Sequence, residues 1–459
     1  MLRPPVPAPA ADDLPWHRAI VAFRTNALAA WSAAAYEQEV EVRQFFGRRR
    51  LLVNSPAAIR QVLVDNHANY RRTPATVRIL RPIIGKGLFL SAGEDWKHQR
   101  RTVAPAFAPR TIPVIARHVA TAAAEAVAAL GAVAGRPVDL FAAMQQLALE
   151  IAGRSMFSLE TRRHGADLRA RLVRYGQWLG RPYMLDLLLP LAIPAPHDLP
   201  RALFRPGWMR RVDRLIAERR RLPPEEAPRD LFDLLAAARD PETGAAFSPA
   251  QLRDQVATMI VAGHETTAVA LFWSLHLLAS APAAQDAVAA EVAGLDLGPD
   301  AAADALPRLA YTRAVVSEAL RLYPPAFTMV REAIGADTVG GLAVAPGTLI
   351  MVTPWVLHRH RRLWRDPAAF DPTRFLPGAP PIDRFAYLPF GVGPRVCVGA
   401  QFALTEATLV LATLVQAFRL TVDATRPVLP VGVITTQPDH APAFGLTPRQ
   451  GNAAQPGVG

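Results

Sequence analysis

Apolar side chains recur with a spacing near 3.6 residues around Ile115 to Leu130, Met144 to Phe157, Trp208 to Arg220, Pro249 to Ser280, Ala310 to Tyr323 and Gly399 to Phe418, which predicts a run of helices. Shorter strand-like pieces lie toward the ends: Val40 to Leu52 before the helices, Thr338 to Val352 and Leu420 to Ile434 after them. The expected fold class is mainly α with small β-sheets. The helix over 249–280 is the best marked, because Ser248 is placed to cap it, Pro249 fills its first turn and Gln251 can close a capping box. At ~1.5 Å per residue it would be roughly 50 Å long, enough to traverse the molecule. Pro223-Pro224 through Pro228 reads as a linker between helices. One domain is expected over 1–446, with 1–14 flexible and 447–459 a disordered tail.

Composition narrows the partners. With 51% hydrophobic residues in 459, the chain can bury a large core. Its net charge of +12 is carried almost wholly by arginine, Lys86 and Lys97 being the only lysines. The arginines are scattered and no nucleic-acid-binding motif accompanies them, so no nucleic-acid partner is expected. A single cysteine and an N-terminus without the apolar core of a signal peptide fit a cytoplasmic, reducing location. The most apolar stretch, Tyr183 to Pro196, is broken by Asp186 and Pro190 well short of the ~20 residues that span a bilayer, so no transmembrane anchor is expected. It is suited to lie on a membrane, to wall a substrate entrance, or simply to be core.

The chemistry gathers at that one cysteine, Cys397, within Phe390-Gly-Val-Gly-Pro-Arg-Val-Cys-Val-Gly399. Gly391 and Gly393 allow a tight turn that leaves N–H groups to face the sulfur, and a helix opening at Gly399 brings its positive end close, both favouring thiolate. A lone thiolate is a poor zinc or iron–sulfur site, since those need several protein ligands. Haem needs one axial ligand, because the porphyrin supplies four nitrogens. Phe390, Gly393, Arg395, Cys397 and Gly399 together resemble the haem-binding signature F-x-x-G-x-R-x-C-x-G of the cytochromes P450. At roughly one in twenty per position, such a match arises by chance about once in ten thousand chains of this length.

Three further constellations extend the resemblance from about Asn69 to Phe444. Ala262-Gly-His-Glu-Thr-Thr267, in the middle of the long helix, is similar to the family's oxygen-activation segment. The resemblance implies that Gly263 leaves room for dioxygen, Thr266 donates a hydrogen bond to it and Glu265 relays protons. The alternative is a threonine bonded back to its own helix beside an exposed glutamate. Glu318 and Arg321, three apart and followed by Pro324-Pro325, resemble the family's E-x-x-R motif, whose third member would be Arg374. That triad is assigned to folding and haem retention. In this chain Thr373 precedes the arginine, where the family commonly has glutamate. Trp96, Arg100, Arg331 and Arg395 match the family's partners of the haem propionates, and His98 sits beside them.

The resemblance implies a cytochrome P450 fold with a large helical lobe and a smaller β-rich lobe, binding haem b (iron protoporphyrin IX) with Cys397 as axial iron ligand. It implies a monomeric, cytoplasmic monooxygenase that inserts one oxygen atom from O2 into a lipophilic small molecule. No flavin, nicotinamide or iron–sulfur fingerprint is present, so electrons are expected from a ferredoxin or flavodoxin with an NAD(P)H-dependent reductase. A peroxide-driven peroxygenase or isomerase keeps the haem without that supply, and a haem or gas sensor is the non-enzymatic alternative. By analogy the substrate pocket is lined by Val77 to Leu80, Phe89 to Ser91, Tyr183 to Ile193, Met259, Ile260, Ala262, Ala326 to Met329 and Val433 to Thr436. Arg78 or Arg81 is suited to pair with a substrate carboxylate, against the alternative of an exposed loop arginine.

Overall fold

In the computed structural model, residues 1–10, 14–45, 47–158, 165–222 and 230–449 are described. The linker expected over 223–228 therefore lies outside the described residues. All six helices expected from periodicity are present, at Ile112–Gly131, Leu140–Phe157, Asp198–Arg219, Pro249–Ser280, Ala310–Leu322 and Ala400–Ala417. The helix expected near Trp208 starts earlier, at Asp198, and carries Pro206 inside it. Two further helices, Pro74–Ile84 and Gly93–Val103, are short, the first interrupted by Pro82 and the second polar over most of its length.

The long helix starts as its sequence dictates. Gln251 N–H donates to Ser248 Oγ (3.3 Å) and Ser248 N–H to Gln251 Oε1 (2.9 Å), closing the capping box. Its second half is core: Val269, Leu271, Phe272, Trp273, Leu275, Leu277 and Leu278 are fully buried. Each contributes roughly 1.5–3 kcal/mol by leaving water. Trp273 stacks on Tyr323 with ring centroids 3.8 Å apart and donates through Nε1 to the Thr436 carbonyl (2.7 Å). The helix packs against Leu140–Phe157, Ala310–Leu322 and Ala400–Ala417. By length and composition Pro109–Gly131, Pro249–Ser280 and Ala400–Ala417 are each apolar enough to cross a membrane. Ala116, Val119, Leu271 and Leu411, however, face the core.

A five-stranded sheet runs in the order Val40–Phe45, Arg48–Val53, Leu349–Val352, Met329–Ala333, Tyr70–Arg71. Only the Arg48–Val53 and Leu349–Val352 pair is parallel. Its register sets Tyr70 opposite Ala333 and Arg71 opposite Glu332, which brings the segment after Arg71 alongside Arg331.

Two boundary expectations are corrected. Residues 1–10 are docked where flexibility was expected: Phe370 N–H donates to Leu2 O (2.9 Å), Ala10 N–H to Trp31 O (3.0 Å), Ala33 N–H to Ala10 O (3.0 Å), and Arg3 pairs with Asp366. These backbone groups find partners far along the chain, which local composition does not register. The tail expected from 447 begins inside a strand, Ala443–Pro448, in which Thr447 pairs with Arg419 and Pro448 with Phe418. Residues 450–459 lie outside the described residues.

Candidate functional site

The cysteine loop is shaped by glycine where only glycine fits. Gly391 and Gly393 have φ of 71° and 77°, and a Cβ on Gly393 would stand 2.3 Å from the Leu63 carbonyl oxygen. The turn closes through Val396 N–H to Gly393 O (3.0 Å) and Cys397 N–H to Phe390 O (2.9 Å). The Cys397 amide is thus spent on the turn instead of facing the sulfur. Cys397 keeps accessible surface, yet protein surrounds it closely enough that burial pushes the thiol up, against the Gly399 N–H and the Arg100 guanidinium. The Gly399 N–H and the Arg100 guanidinium favour the thiolate, burial opposes them, and a bound metal cation would offset that burial.

Beside the loop four arginines converge. Trp96 and Arg100 lie one turn apart on Gly93–Val103; the Arg395 guanidinium sits 4.1 Å from the Trp96 ring centroid and donates to Ser91 O (2.8 Å), and Arg100 donates to Val396 O (2.8 Å). Arg331 comes from the sheet, and Arg72, which the sequence reading missed, follows the strand paired with it. Burial, then the neighbouring Arg331 and Arg395 charges, push Arg72 down; burial, then Arg331 and Arg100, push Arg395 down to about 10. Among the described residues none of the four makes an ion pair with a carboxylate. A cluster of partly buried like charges without a counter-ion is built to receive an anion, and the two propionates of haem fit it. His98 is not part of it, since its Nδ1 lies 2.8 Å from Asp240 Oδ2.

In the middle of the long helix, Ala262, Gly263 and Thr266 keep accessible surface while His264, Thr267 and Ala268 are buried. Nothing lies within 4 Å of the place a Gly263 Cβ would take, so space is open beside the helix there. Thr266 Oγ1 donates to the Ala262 carbonyl of its own helix. With its proton committed, its lone pairs can only accept, the reverse of the donor expected from the resemblance. Thr266 thus takes the back-bonded alternative, but Glu265 is not the exposed glutamate that went with it: its Oε1 accepts from Thr435 Oγ1 (2.7 Å) and Gln437 Nε2 (2.5 Å).

Glu318 and Arg321 are completely buried and pair bidentately, Nε to Oε2 at 2.6 Å and Nη2 to Oε1 at 2.7 Å. Arg321 spends its remaining donors on the carbonyls of His358 (2.9 Å), Pro367 (2.8 Å) and Ala369 (2.8 Å). Arg374 joins more loosely, its Nε 3.6 Å from Glu318 Oε1. Burial pushes the Glu318 carboxyl up, opposed by Arg321 and the Asp371 N–H.

His358, missed in the sequence, completes this network: Nε2 accepts from Leu388 N–H (2.8 Å) and Nδ1 donates to Arg321 O (3.2 Å), which requires the neutral ring. Burial, then the Arg321 charge, push it down to about 3. Below the ordinary value of 6.5 the unfolded chain takes up a proton that the folded one refuses, so stability present above 6.5 is lost as pH falls toward 3. His264 and His276, each pushed down to about 4 by burial, act in the same direction. Between about pH 7.5 and pH 5.5 each costs about 1.4 kcal/mol. Denaturant midpoints at these pH values should show the fall, and His358→Gln should narrow it by one histidine's share; an unchanged gap excludes this role.

The expected pocket segments divide. Ile260 is core and Met259 borders the open helix face, whereas Met184, Leu185, Leu191 and Ile193 point outward. Arg78 fits neither expectation: it is buried, paired with Asp198, and donates to the carbonyls of Pro190 and Ile193 (2.6 Å each).

The cytochrome P450 family profile matches residues 36–440. The chain is 35% identical to the cyclooctat-9-en-7-ol 5-monooxygenase of Streptomyces melanosporofaciens, over 85% of this chain and 84% of that protein. It is 31% identical to the pentalenene oxygenase of Streptomyces avermitilis, over 86% and 87%. The crystal structure of the cytochrome P450DA heme domain superimposes with a TM-score of 0.78 at 27% identity, covering 90% of each chain. From the fold, the cysteine loop and these matches, the chain belongs to the cytochrome P450 family of haem-binding monooxygenases.

Proposed function

We propose that Cys397 Sγ would ligate the iron of haem b, that Arg72, Arg100, Arg331 and Arg395 with Trp96 would hold its propionates, and that Gly263 and Gly399 would leave room for the macrocycle, with Phe390 beside it. The observation that carries this is the four-arginine cluster without a carboxylate beside the only cysteine. Haem, when bound, supplies O2 activation; the protein supplies position, exclusion of water and protons. Gly263 keeps the helix face open. Thr266 presents lone pairs toward that opening, and Glu265, clamped by Thr435 and Gln437 through one oxygen, retains a second oxygen for proton exchange. Glu318, Arg321 and Arg374 hold the segment that leads into the cysteine loop.

The substrate is a lipophilic small molecule, because the accessible positions Met259, Ala262, Ala326 and Met329 are apolar. The two Streptomyces relatives are named for cyclooctat-9-en-7-ol and pentalenene, which makes terpenoids of that size the first compounds to screen. Electrons come from a ferredoxin or flavodoxin and its reductase, steered to the basic chain, and the enzyme works as a cytoplasmic monomer of one domain that reaches at least to the strand Ala443–Pro448.

The test is turnover of a bound terpenoid with NADPH, ferredoxin and reductase against turnover with peroxide alone. Product in the first arm, dependent on O2, is expected; product only with peroxide would make this a peroxygenase, and none in either arm would leave a sensor. In the same assay Thr266→Ala is expected to keep haem and NADPH consumption while product per NADPH falls severalfold and peroxide rises. Unchanged coupling would remove Thr266 from proton handling.

A further inference from the structure

Between the helices Pro74–Ile84 and Gly93–Val103, the loop of residues 85–91 is fastened to the long helix by side chains outside the site described above. Its amides alternate in partner. Gly85 and Gly87 N–H donate back to the carbonyls of Arg81 (3.0 Å) and Ile84 (3.1 Å), while Lys86 N–H donates to Asp254 Oδ2 (2.8 Å) and Leu88 N–H to Gln255 Oε1 (3.1 Å). Gln255 Nε2 donates to Gln99 Oε1 (2.7 Å) and Gln99 Nε2 to Lys86 O (3.1 Å), which closes a ring of hydrogen bonds through three segments of the chain. Both glutamines are buried, Gln255 at 0% and Gln99 at 3% exposure. The approach is so close that a Cβ on Gly85 would run into the Asp254 carboxyl, and one on Gly87 into Thr258 Oγ1. A buried polar ring of this kind admits one backbone position, because a shift leaves donors and acceptors unmatched.

The other side of the same loop carries the supports of the arginine cluster. Ser91 O accepts from Arg395 Nη1 (2.8 Å), and the Arg72 guanidinium sits 3.7 Å from the Phe89 ring centroid. Gln99 directly precedes Arg100, on the helix that also bears Trp96 and its stacked Arg395. The like charges at Arg72, Arg100, Arg331 and Arg395 oppose their own gathering, so they stay together only on a backbone that does not yield. With glycine at 85 and 87 the loop is soft on its own, and the side chains of the long helix make it rigid.

We propose that Gln255, with Asp254 and Gln99, is a positioning residue of the propionate side, acting through the loop 85–91 on Arg395 and Arg72. Gln255 stands about two turns before Gly263 on the same helix, so one loop ties the long helix to the anion side of the site. The inference rests on the reading that this cluster receives the haem propionates.

The test uses holoprotein and two readouts other than turnover: the reduction potential of the bound haem and the rate at which haem passes to apomyoglobin. Arg395→Gln is the reference, expected to lower the potential, since loss of a positive charge disfavours the reduced state, and to speed haem transfer. Gln255→Leu takes away the partner of Leu88 N–H and of Gln99 and should move both readouts in the same direction, haem transfer by about tenfold, the scale on which groups that orient a ligand's partners act. Phe89→Leu, at a position 42% exposed, removes the ring beside Arg72 while leaving the buried ring of hydrogen bonds intact, and should act in the same direction to a lesser degree. Gln285→Leu is the control. Gln285 is equally buried and donates to Leu278 O (3.1 Å) and Leu420 O (2.9 Å), so its loss should lower the denaturant midpoint but leave the potential unchanged. A potential in Gln255→Leu no different from that in Gln285→Leu overturns the proposal alone. Where Gln255→Leu yields no holoprotein, a Phe89→Leu potential equal to the parent's does the same. Arg395→Gln with both readouts unchanged removes the propionate reading and the proposal with it.

Discussion

Cys397→Ser is expected to fold, to bind haem in reduced amount, and to lose both the absorption band of a thiolate-ligated carbon monoxide complex and all detectable monooxygenation. The loop does not need the sulfur for its shape: Gly391 and Gly393 supply the positive φ angles, and Cys397 N–H, not Sγ, closes the turn on Phe390 O. The arginines are likewise untouched, so the propionate side still attracts haem. What disappears is the soft anionic donor and the electron density it lends to O–O cleavage. A complementary variant separates ligand from cradle. Arg72→Gln with Arg395→Gln should lower haem occupancy while leaving the band position of the bound fraction as in the parent protein. A serine variant that keeps the band would place the axial ligand elsewhere and overturn the assignment of Cys397.

The parts of this site legible in sequence are those that local spacing determines. Ser248 and Gln251 can only cap the helix they begin, Gly391 and Gly393 mark the tight turn before the cysteine, and Glu318 and Arg321 share a face because they are three apart. Their partners were less legible. Arg72 joins Arg331 through strand pairing across more than half the chain, and in an arginine-rich sequence nothing sets it apart from Arg71, which pairs with Glu332 instead. His358 offers no pattern until its two nitrogens are seen against Leu388 N–H and Arg321 O. Direction is also invisible to composition. Tyr183 to Ile193 is apolar enough to line a pocket, but the buried Asp186 and Arg201 pair turns its leucines outward. A hydroxyl's choice of partner, as at Thr266, depends on rotamer, and no spacing rule specifies it.

Glu318→Ala is expected to leave little haem-loaded protein, and the damage should not be repaired by removing Arg321 as well. The single change strands a guanidinium that is 0% exposed, and breaking a buried pair by one partner costs roughly 3–5 kcal/mol, a large share of the stability of a typical domain. In many buried pairs the second substitution recovers most of that loss, because the orphaned charge goes with it. Here Arg321 also satisfies the carbonyls of His358, Pro367 and Ala369, and Glu318 accepts the Asp371 N–H. An apolar replacement such as Glu318→Leu with Arg321→Met would leave those backbone groups buried without partners, at about 1–3 kcal/mol each. The double variant should therefore be no better than the single one in haem content and in denaturant midpoint. Arg374→Ala should be milder than either, since its Nε stands 3.6 Å from Glu318 and its Nη2 bonds only Asp366 O. Recovery of haem loading in the double variant would reduce the motif to a charge pair, whereas failure to recover identifies Arg321 as the group that holds the backbone on the path from residues 358–371 to the cysteine loop.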